Sequence, residues 1–112
     1  MRPRIVAGNW KLNGTRASAK ALLQAIVDAP RPEGVQCLVM PPIAYLAESV
    51  AGFAGQGIGF GAQDLDAHEA GAFTGETSGA MLKDIGATHV LVGHSERRQF
   101  HEESSDLVAE KM

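Results

Sequence analysis

The chain has 112 residues, of which 45% are hydrophobic and 21% charged, and its formal net charge is −3. This length suits one domain over residues 1–112 with no internal boundary, and the negative charge argues against a nucleic-acid partner. No apolar run is long enough for a signal peptide or a membrane span, which predicts that the protein has no membrane partner. Cys37 is the only cysteine, so an intrachain disulfide is excluded and a cytoplasmic location is expected.

Four short apolar runs, each bounded by glycine or proline, predict strands that are buried on both faces. They cover residues 5–7, 37–40, 58–62 and 89–92. Amphipathic patterns predict helices over residues 16–28, 43–54 and 79–85, and Ser104 is a plausible N-cap for a further helix. This alternation predicts an α/β fold with parallel strands and helical crossovers. A small doubly wound sheet, which would be a ligand-binding domain, and part of a (β/α)8 barrel both fit the pattern.

Polar side chains follow the first and fourth predicted strands, where functional residues collect in both architectures. Asn9 and Lys11 are two residues apart, so in a continuing strand their side chains point the same way and can bind an anion or a developing oxyanion. The alternative is a solvated lysine beside a turn-forming asparagine. His94 can transfer protons near neutral pH. If Ser95 opens a helical turn, free backbone N–H groups favour the neutral ring; otherwise His94 is a capping residue.

The predicted connection from Asp64 to Ser78 is longer than the about 2–6 residues usual between a strand and a helix. Phe73 stands near its tip in an otherwise polar segment. An exposed phenylalanine on a protruding loop suggests insertion into another subunit, whereas a self-packed Ω-loop is the alternative. The four histidines show no zinc-binding spacing, so no metal site is predicted.

Three stretches together resemble the triosephosphate isomerase family. They are AGNWKLNG (7–14), GAQDLDAHEAGAFTGETS (61–78) and VLVGHSERR (90–98). The resemblance runs over the whole chain and implies the first four βα units of a (β/α)8 TIM barrel, with the helices outside. Because such barrels need roughly 250 residues, it also implies that the chain is the N-terminal half of a barrel.

The resemblance assigns roles to individual residues. It implies three catalytic residues, which are His94, Lys11 and Glu96. By this resemblance His94 polarises the substrate carbonyl, Lys11 stabilises the charge that develops on the substrate, and Glu96 lies next to Lys11. Substrate binding falls to Asn9, Lys11 and Ser95. The loop from Asp64 to Ser78 resembles a dimer loop that docks into a second subunit. The docking residues of this loop are Phe73, Thr74, Gly75 and Glu76. The resemblance further implies that Glu76 and Arg97 form a charged pair that steadies the docking.

The activity implied by the resemblance is interconversion of dihydroxyacetone phosphate and D-glyceraldehyde 3-phosphate, a step of glycolysis and gluconeogenesis, by a homodimer without metal or organic cofactor. The family's general base is a glutamate beyond position 112, so the isolated chain is expected to lack full activity. The alternative is a non-catalytic half barrel that self-associates or complements a missing half. Its first and fourth strands would be open edges, which favour pairing with other chains.

Overall fold

Strands and helices alternate along the chain in the computed structural model, which describes Arg2 and residues 4–112. No helix in these residues is both long and apolar enough to cross a membrane. In chain order the elements are β1 (Arg4–Asn9), α1 (Arg16–Asp28), β2 (Val35–Met40), α2 (Ile43–Phe53), β3 (Ile58–Ala62), α3 (Gly79–Asp84), β4 (His89–Val90), α4 (Ser95–Phe100) and α5 (Ser105–Lys111).

The four strands form one parallel sheet in the order β1-β2-β3-β4. Asn9 pairs with Met40 at the carboxyl end of β1, and Ala62 pairs with Val90 at the carboxyl end of β3. Because the strands are parallel and consecutive, their carboxyl ends lie along one rim. This topology confirms the predicted first four βα units of a (β/α)8 barrel, and β1 and β4 are the open edges that were expected.

The core lies between the central strands and the helices that cross over them. Leu23 of α1, Leu46 of α2, and Val39 and Phe60 of the sheet are almost completely buried. The two edge strands behave differently, because residues 4–8 of β1 and both residues of β4 are exposed. The prediction that all four strands are buried on both faces is therefore wrong for the edges, which lack a neighbouring strand on one side.

Element boundaries differ from the predictions mainly at the edge strands. β1 is longer than the predicted 5–7, because its ladder to β2 continues to Asn9. β4 is shorter than the predicted 89–92, although the Leu91 amide still donates to the Ala62 carbonyl at 2.9 Å. The side chain of Ser104 caps α5 as predicted, accepting a hydrogen bond from the Leu107 amide. A reciprocal capping box between Thr15 and Ser18 begins α1.

Candidate active site

A cavity of about 540 Å³ opens at the carboxyl ends of the strands. The end of β1 and the loop after it contribute Asn9 and Lys11 to its lining, and the start of α4 with its N-cap contributes Glu96 and His94. The predicted convergence of polar groups from the first and fourth connections is therefore confirmed. The 64–78 loop, the connection from Asp64 to Ser78, forms another part of the wall.

Lys11 occupies a strained position directly after β1. The strand ends at Asn9, so the continuing strand that would align the two side chains is not formed. Instead, the Asn9 side-chain oxygen accepts a hydrogen bond from the Lys11 amide at 2.9 Å. Lys11 has φ +54°, a left-handed conformation that costs a non-glycine residue about 1–3 kcal/mol. This bend directs the ammonium toward α4, where Nζ lies 2.6 Å from Glu96 Oε1.

Gln63, which follows β3, holds this strained backbone from two strands away. Its side-chain nitrogen donates to the carbonyl oxygens of Lys11 and Met40, both at 2.9 Å. The amide thus ties the loop after β1 to the end of β2. Gln63 follows β3 directly, so the strand-end rule pointed at its position, but the sequence carried no signal for the two carbonyls it reaches.

His94 begins α4 as its N-cap, and the predicted helical turn at Ser95 is confirmed. The His94 Nδ1 atom accepts a hydrogen bond from the Glu96 amide at 3.1 Å. A ring nitrogen that accepts a hydrogen bond carries no proton, so the neutral imidazole holds its proton on Nε2. The ring can therefore cap the helix and still donate a hydrogen bond to a substrate oxygen. The capping and chemical interpretations are compatible.

Glu96 is a stable anion in this arrangement. The hydrogen bond from the Lys11 ammonium lowers the pKa of the Glu96 carboxyl, and this effect outweighs the partial burial that raises it. An efficient general base has a pKa near the working pH. Glu96 is therefore suited to balancing the charge of Lys11 rather than to removing a proton from carbon.

A sequence-family model described as "Triosephosphate isomerase" matches residues 4–112 of the chain. The chain belongs to the triosephosphate isomerase family. Curated relatives named triosephosphate isomerase include those of Xylella fastidiosa (strain M23), 53% identical over 112 residues, and of Stenotrophomonas maltophilia (strain R551-3), 53% identical over 111 residues. The matches cover 99% of this chain but 45% and 44% of those relatives. The chain thus spans less than half the length of the curated relatives it matches.

An ion network with two buried members lies behind α4, and sequence reasoning missed it. We define the ion network as Asp64, Arg97, Glu103 and Lys111. Arg97 contacts Asp64 at 3.2 Å and Glu103 at 3.0 Å, while the Lys111 ammonium lies 2.9 Å from Asp64 and 2.6 Å from Glu103. The side chains of Glu103 and Lys111 are only 2% and 6% exposed. The network connects the end of β3 to α4 and α5. His94 is the N-cap of α4, so it lies at the start of the connected segment.

The ion network shifts the pKa values of its buried members. Burial alone would raise the pKa of the Glu103 carboxyl, but hydrogen bonds from Lys111 and Arg97 outweigh burial and lower it. Burial likewise opposes the charge on Lys111, and hydrogen bonds to Glu103 and Asp64 outweigh that effect, so the Lys111 pKa is raised. Both groups are therefore charged at neutral pH. One oxygen, Glu103 Oε1, is buried without a hydrogen-bond partner among the described residues.

Some residues predicted from the triosephosphate isomerase resemblance lie apart from the cavity. Ser95 is exposed, does not line the cavity, and its hydroxyl makes no hydrogen bond within the described part of the chain. Phe73 and Thr74 also lie outside the lining, whereas Gly75 and Glu76 belong to it. The predicted Glu76–Arg97 pair is not formed within one chain, because Arg97 is engaged by Asp64 and Glu103. A pair between two subunits stays a prediction.

Proposed function

We propose that this chain is the carbonyl-polarising part of a triosephosphate isomerase that interconverts dihydroxyacetone phosphate and D-glyceraldehyde 3-phosphate in the cytoplasm. The observation that carries the proposal is the shared cavity. Lys11 and His94 come from loops 83 residues apart in sequence (94 − 11) and meet at one rim of the sheet. Membership of the family, through a match over residues 4–112, supports the same reaction.

The reaction requires a negative charge to develop on the substrate's carbonyl oxygen. A base removes a proton from the carbon next to the carbonyl, and the electron pair moves to the oxygen to give an enediolate. The Nε2–H group of neutral His94 donates a hydrogen bond to that oxygen. Lys11 has three N–H donors, of which Glu96 occupies one, so two remain for substrate oxygens. Preorganised donors of this kind stabilise the developing charge, and the proton transfers need no metal ion or organic cofactor.

The general base of the proposed reaction lies outside residues 1–112. Glu96 is paired with Lys11 at 2.6 Å, and its lowered pKa makes it a weak proton acceptor. The match to less than half the length of the relatives is consistent with a base elsewhere in a longer polypeptide. The chain alone is therefore expected to bind anions weakly and to isomerise substrate slowly, if at all.

We further propose that two copies associate through the 64–78 loop. Phe73 is 41% exposed on this loop, although its side chain is apolar. Burying such a side chain against a second subunit would stabilise a dimer. Replacing Phe73 and Thr74 by glycine is expected to weaken this association, and an unchanged sedimentation profile would show that the loop packs only on itself.

The proposal is tested by isomerase assays of two proteins. One is the chain alone, and the other, called the complemented protein below, is this chain joined to the part of the X. fastidiosa relative that it does not cover. Only the complemented protein should turn over substrate efficiently. In it, Lys11→Ala should lower kcat/KM by about 10²–10³-fold, the magnitude typical of losing an oxyanion-stabilising group.

Two further variants sharpen the role of the lysine. Lys11→Arg should not rescue activity, because a planar guanidinium cannot replace a compact ammonium held against Glu96. Lys20→Ala is the matched control, since Lys20 is an exposed lysine of α1 outside the cavity. Efficient turnover by the isolated chain, or near-normal rates for either Lys11 variant, would contradict the proposed roles.

A non-catalytic alternative has one observation in its favour. The β1 edge is open, and its Ile5 and Val6 side chains are 45% and 62% exposed. Such an edge can pair with another chain, so the isolated chain could act as a self-associating half barrel. Stable oligomers of the isolated chain, together with an inactive complemented protein, would favour this alternative.

A further inference from the structure

The 64–78 loop carries an internal aromatic stack that catalysis does not explain. The rings of His68 and Phe73 are nearly parallel, at an interplanar angle of 13°, and their centroids are 3.7 Å apart. The backbone at Gly71 also lies close to the phenylalanine ring, because a Cβ added at Gly71 would fall 2.9 Å from the ring. Phe73 therefore contacts the His68 imidazole and lies close to Gly71, even though it remains 41% exposed.

Asp66 anchors this stack to the closed base of the loop. Its carboxylate accepts hydrogen bonds from the His68 amide at 3.2 Å and from the His68 ring at 2.8 Å. Its own amide donates to the Thr77 carbonyl at 2.8 Å, which joins the two ends of the loop. The imidazole thus connects a fixed base to the tip. Burial tends to raise the pKa of the Asp66 carboxyl, but these bonds from His68 outweigh burial and lower it, so the acceptor stays charged.

The turn beyond Phe73 completes the fixed shape of the tip. The Glu76 amide donates to the Phe73 carbonyl at 3.1 Å, and Gly75 supplies the positive φ of +89° within that turn. The tip is therefore set by contacts within the loop itself. Ordering a flexible side chain on association has an entropic cost, and a loop ordered beforehand avoids part of it.

We propose that the Asp66–His68–Phe73 stack fixes the 64–78 loop in its docking shape before a second copy of the chain binds, which makes His68 a determinant of self-association. This inference rests on the association put forward under the proposed function. It adds that the affinity of the dimer depends on His68, which shapes the loop, as well as on the residues that touch the second copy. His68 is a positioning residue in this role.

Limited proteolysis tests whether the stack orders the loop. Chymotrypsin cleaves after phenylalanine, so the cleavage rate after Phe73 in the chain, relative to a free peptide of residues 64–78, measures protection. Cleavage should be slower in the chain than in the peptide, and His68→Ala should accelerate it by about three- to tenfold, the scale of one aromatic contact. His68→Phe keeps a ring on Phe73 but loses the ring's bond to Asp66, so it should retain part of the protection, as should Asp66→Ala.

Sedimentation of the complemented protein tests whether loop order controls association. His68→Ala should raise the dimer dissociation constant by about five- to tenfold, while His68→Phe, which keeps the stacked ring but loses the bond to Asp66, should raise it less. His101→Ala is the matched control, because it removes an exposed histidine at the end of α4, outside the loop.

The outcomes separate the two proposals. Equal cleavage of the chain and the peptide, or no acceleration in His68→Ala, would overturn the ordering role of the stack. A loosened loop with unchanged dimer affinity would overturn the link to association while leaving the dimer itself supported. If the unmodified complemented protein stays monomeric, the proposed dimer fails, and the role of His68 in association fails with it.

Discussion

Replacing Lys111 by methionine should destabilise the chain far more than an ordinary lysine substitution. Lys111→Met keeps the length of the side chain but removes its bonds to Asp64 and Glu103, at 2.9 and 2.6 Å. Each charge-assisted bond contributes about 1.5–3 kcal/mol, so their sum is about 3–6 kcal/mol. Removing one member of a buried ion pair usually costs about 3–5 kcal/mol. We expect the lower part of this range, because Arg97 continues to pair with both carboxylates.

The assay is urea unfolding followed by the fluorescence of Trp10, the single tryptophan of the chain, which packs against the core. The matched control is Arg16→Met, which breaks the Arg16–Glu48 ion pair, whose side chains are 81% and 58% exposed. Such a surface pair should contribute less than about 1 kcal/mol. Adding Glu103→Leu to Lys111→Met should recover part of the loss, since it removes a buried carboxylate that has lost one of its two cationic partners. Equal losses of unfolding free energy for Lys111→Met and Arg16→Met would refute the larger contribution expected of the buried bonds.

Three further predictions concern the groups around the site. Gln63→Leu removes both side-chain bonds that hold the strained Lys11 backbone. At about 1 kcal/mol per bond, this change should lower kcat/KM of the complemented protein by about 10–30-fold. An unchanged kcat/KM would exclude this positioning role. Gly93→Ala should lower stability by about 1–3 kcal/mol in the same urea assay, because Gly93 has φ +64° and an added Cβ would lie 2.8 Å from the Val108 side chain. The stability gained from the lowered pKa of Glu103 should be present above pH 4.5, its ordinary pKa, and should be lost as the pH falls through the lowered value. Between pH 7 and pH 3, the free energy of unfolding should fall less in Glu103→Gln than in the unmodified chain. Parallel curves of unfolding free energy against pH would count against the ion network.

Local sequence signals predicted the fold to a useful degree. The spacing of apolar residues placed α1 at its observed bounds and β3 at residues 58–62. The β–α alternation predicted a parallel sheet, and the family resemblance predicted the first four units of a barrel; the strand order β1-β2-β3-β4 confirms both. These signals work because apolar runs and amphipathic spacing are local features of each element, so they can be detected without knowing which elements touch. The failures fall at β1 and β4, where burial depends on a neighbouring strand that the chain does not supply.

The candidate site was predicted from residue types at strand ends, and the family resemblance placed Glu96 beside Lys11, but the bonds that orient these groups were not predicted. Lys11 and His94 were expected to share a cavity because the ends of parallel strands lie along one rim, and they do. The pairing of Lys11 with Glu96 and the double contact of Gln63 depend on the angle at which each loop leaves its strand. That angle is set by a left-handed residue and by capping bonds, which residue composition does not reveal.

The sequence by itself determined the order of the elements, the parallel sheet and the family. It did so because periodicity, turn residues and three characteristic stretches are local properties of the chain. Only the tertiary structure decided that Asp64, Arg97, Glu103 and Lys111 form a buried network and that His68 stacks on Phe73. Such contacts depend on distances of a few ångströms between side chains on different turns and elements, and many arrangements of the same residues would satisfy the same hydrophobic pattern.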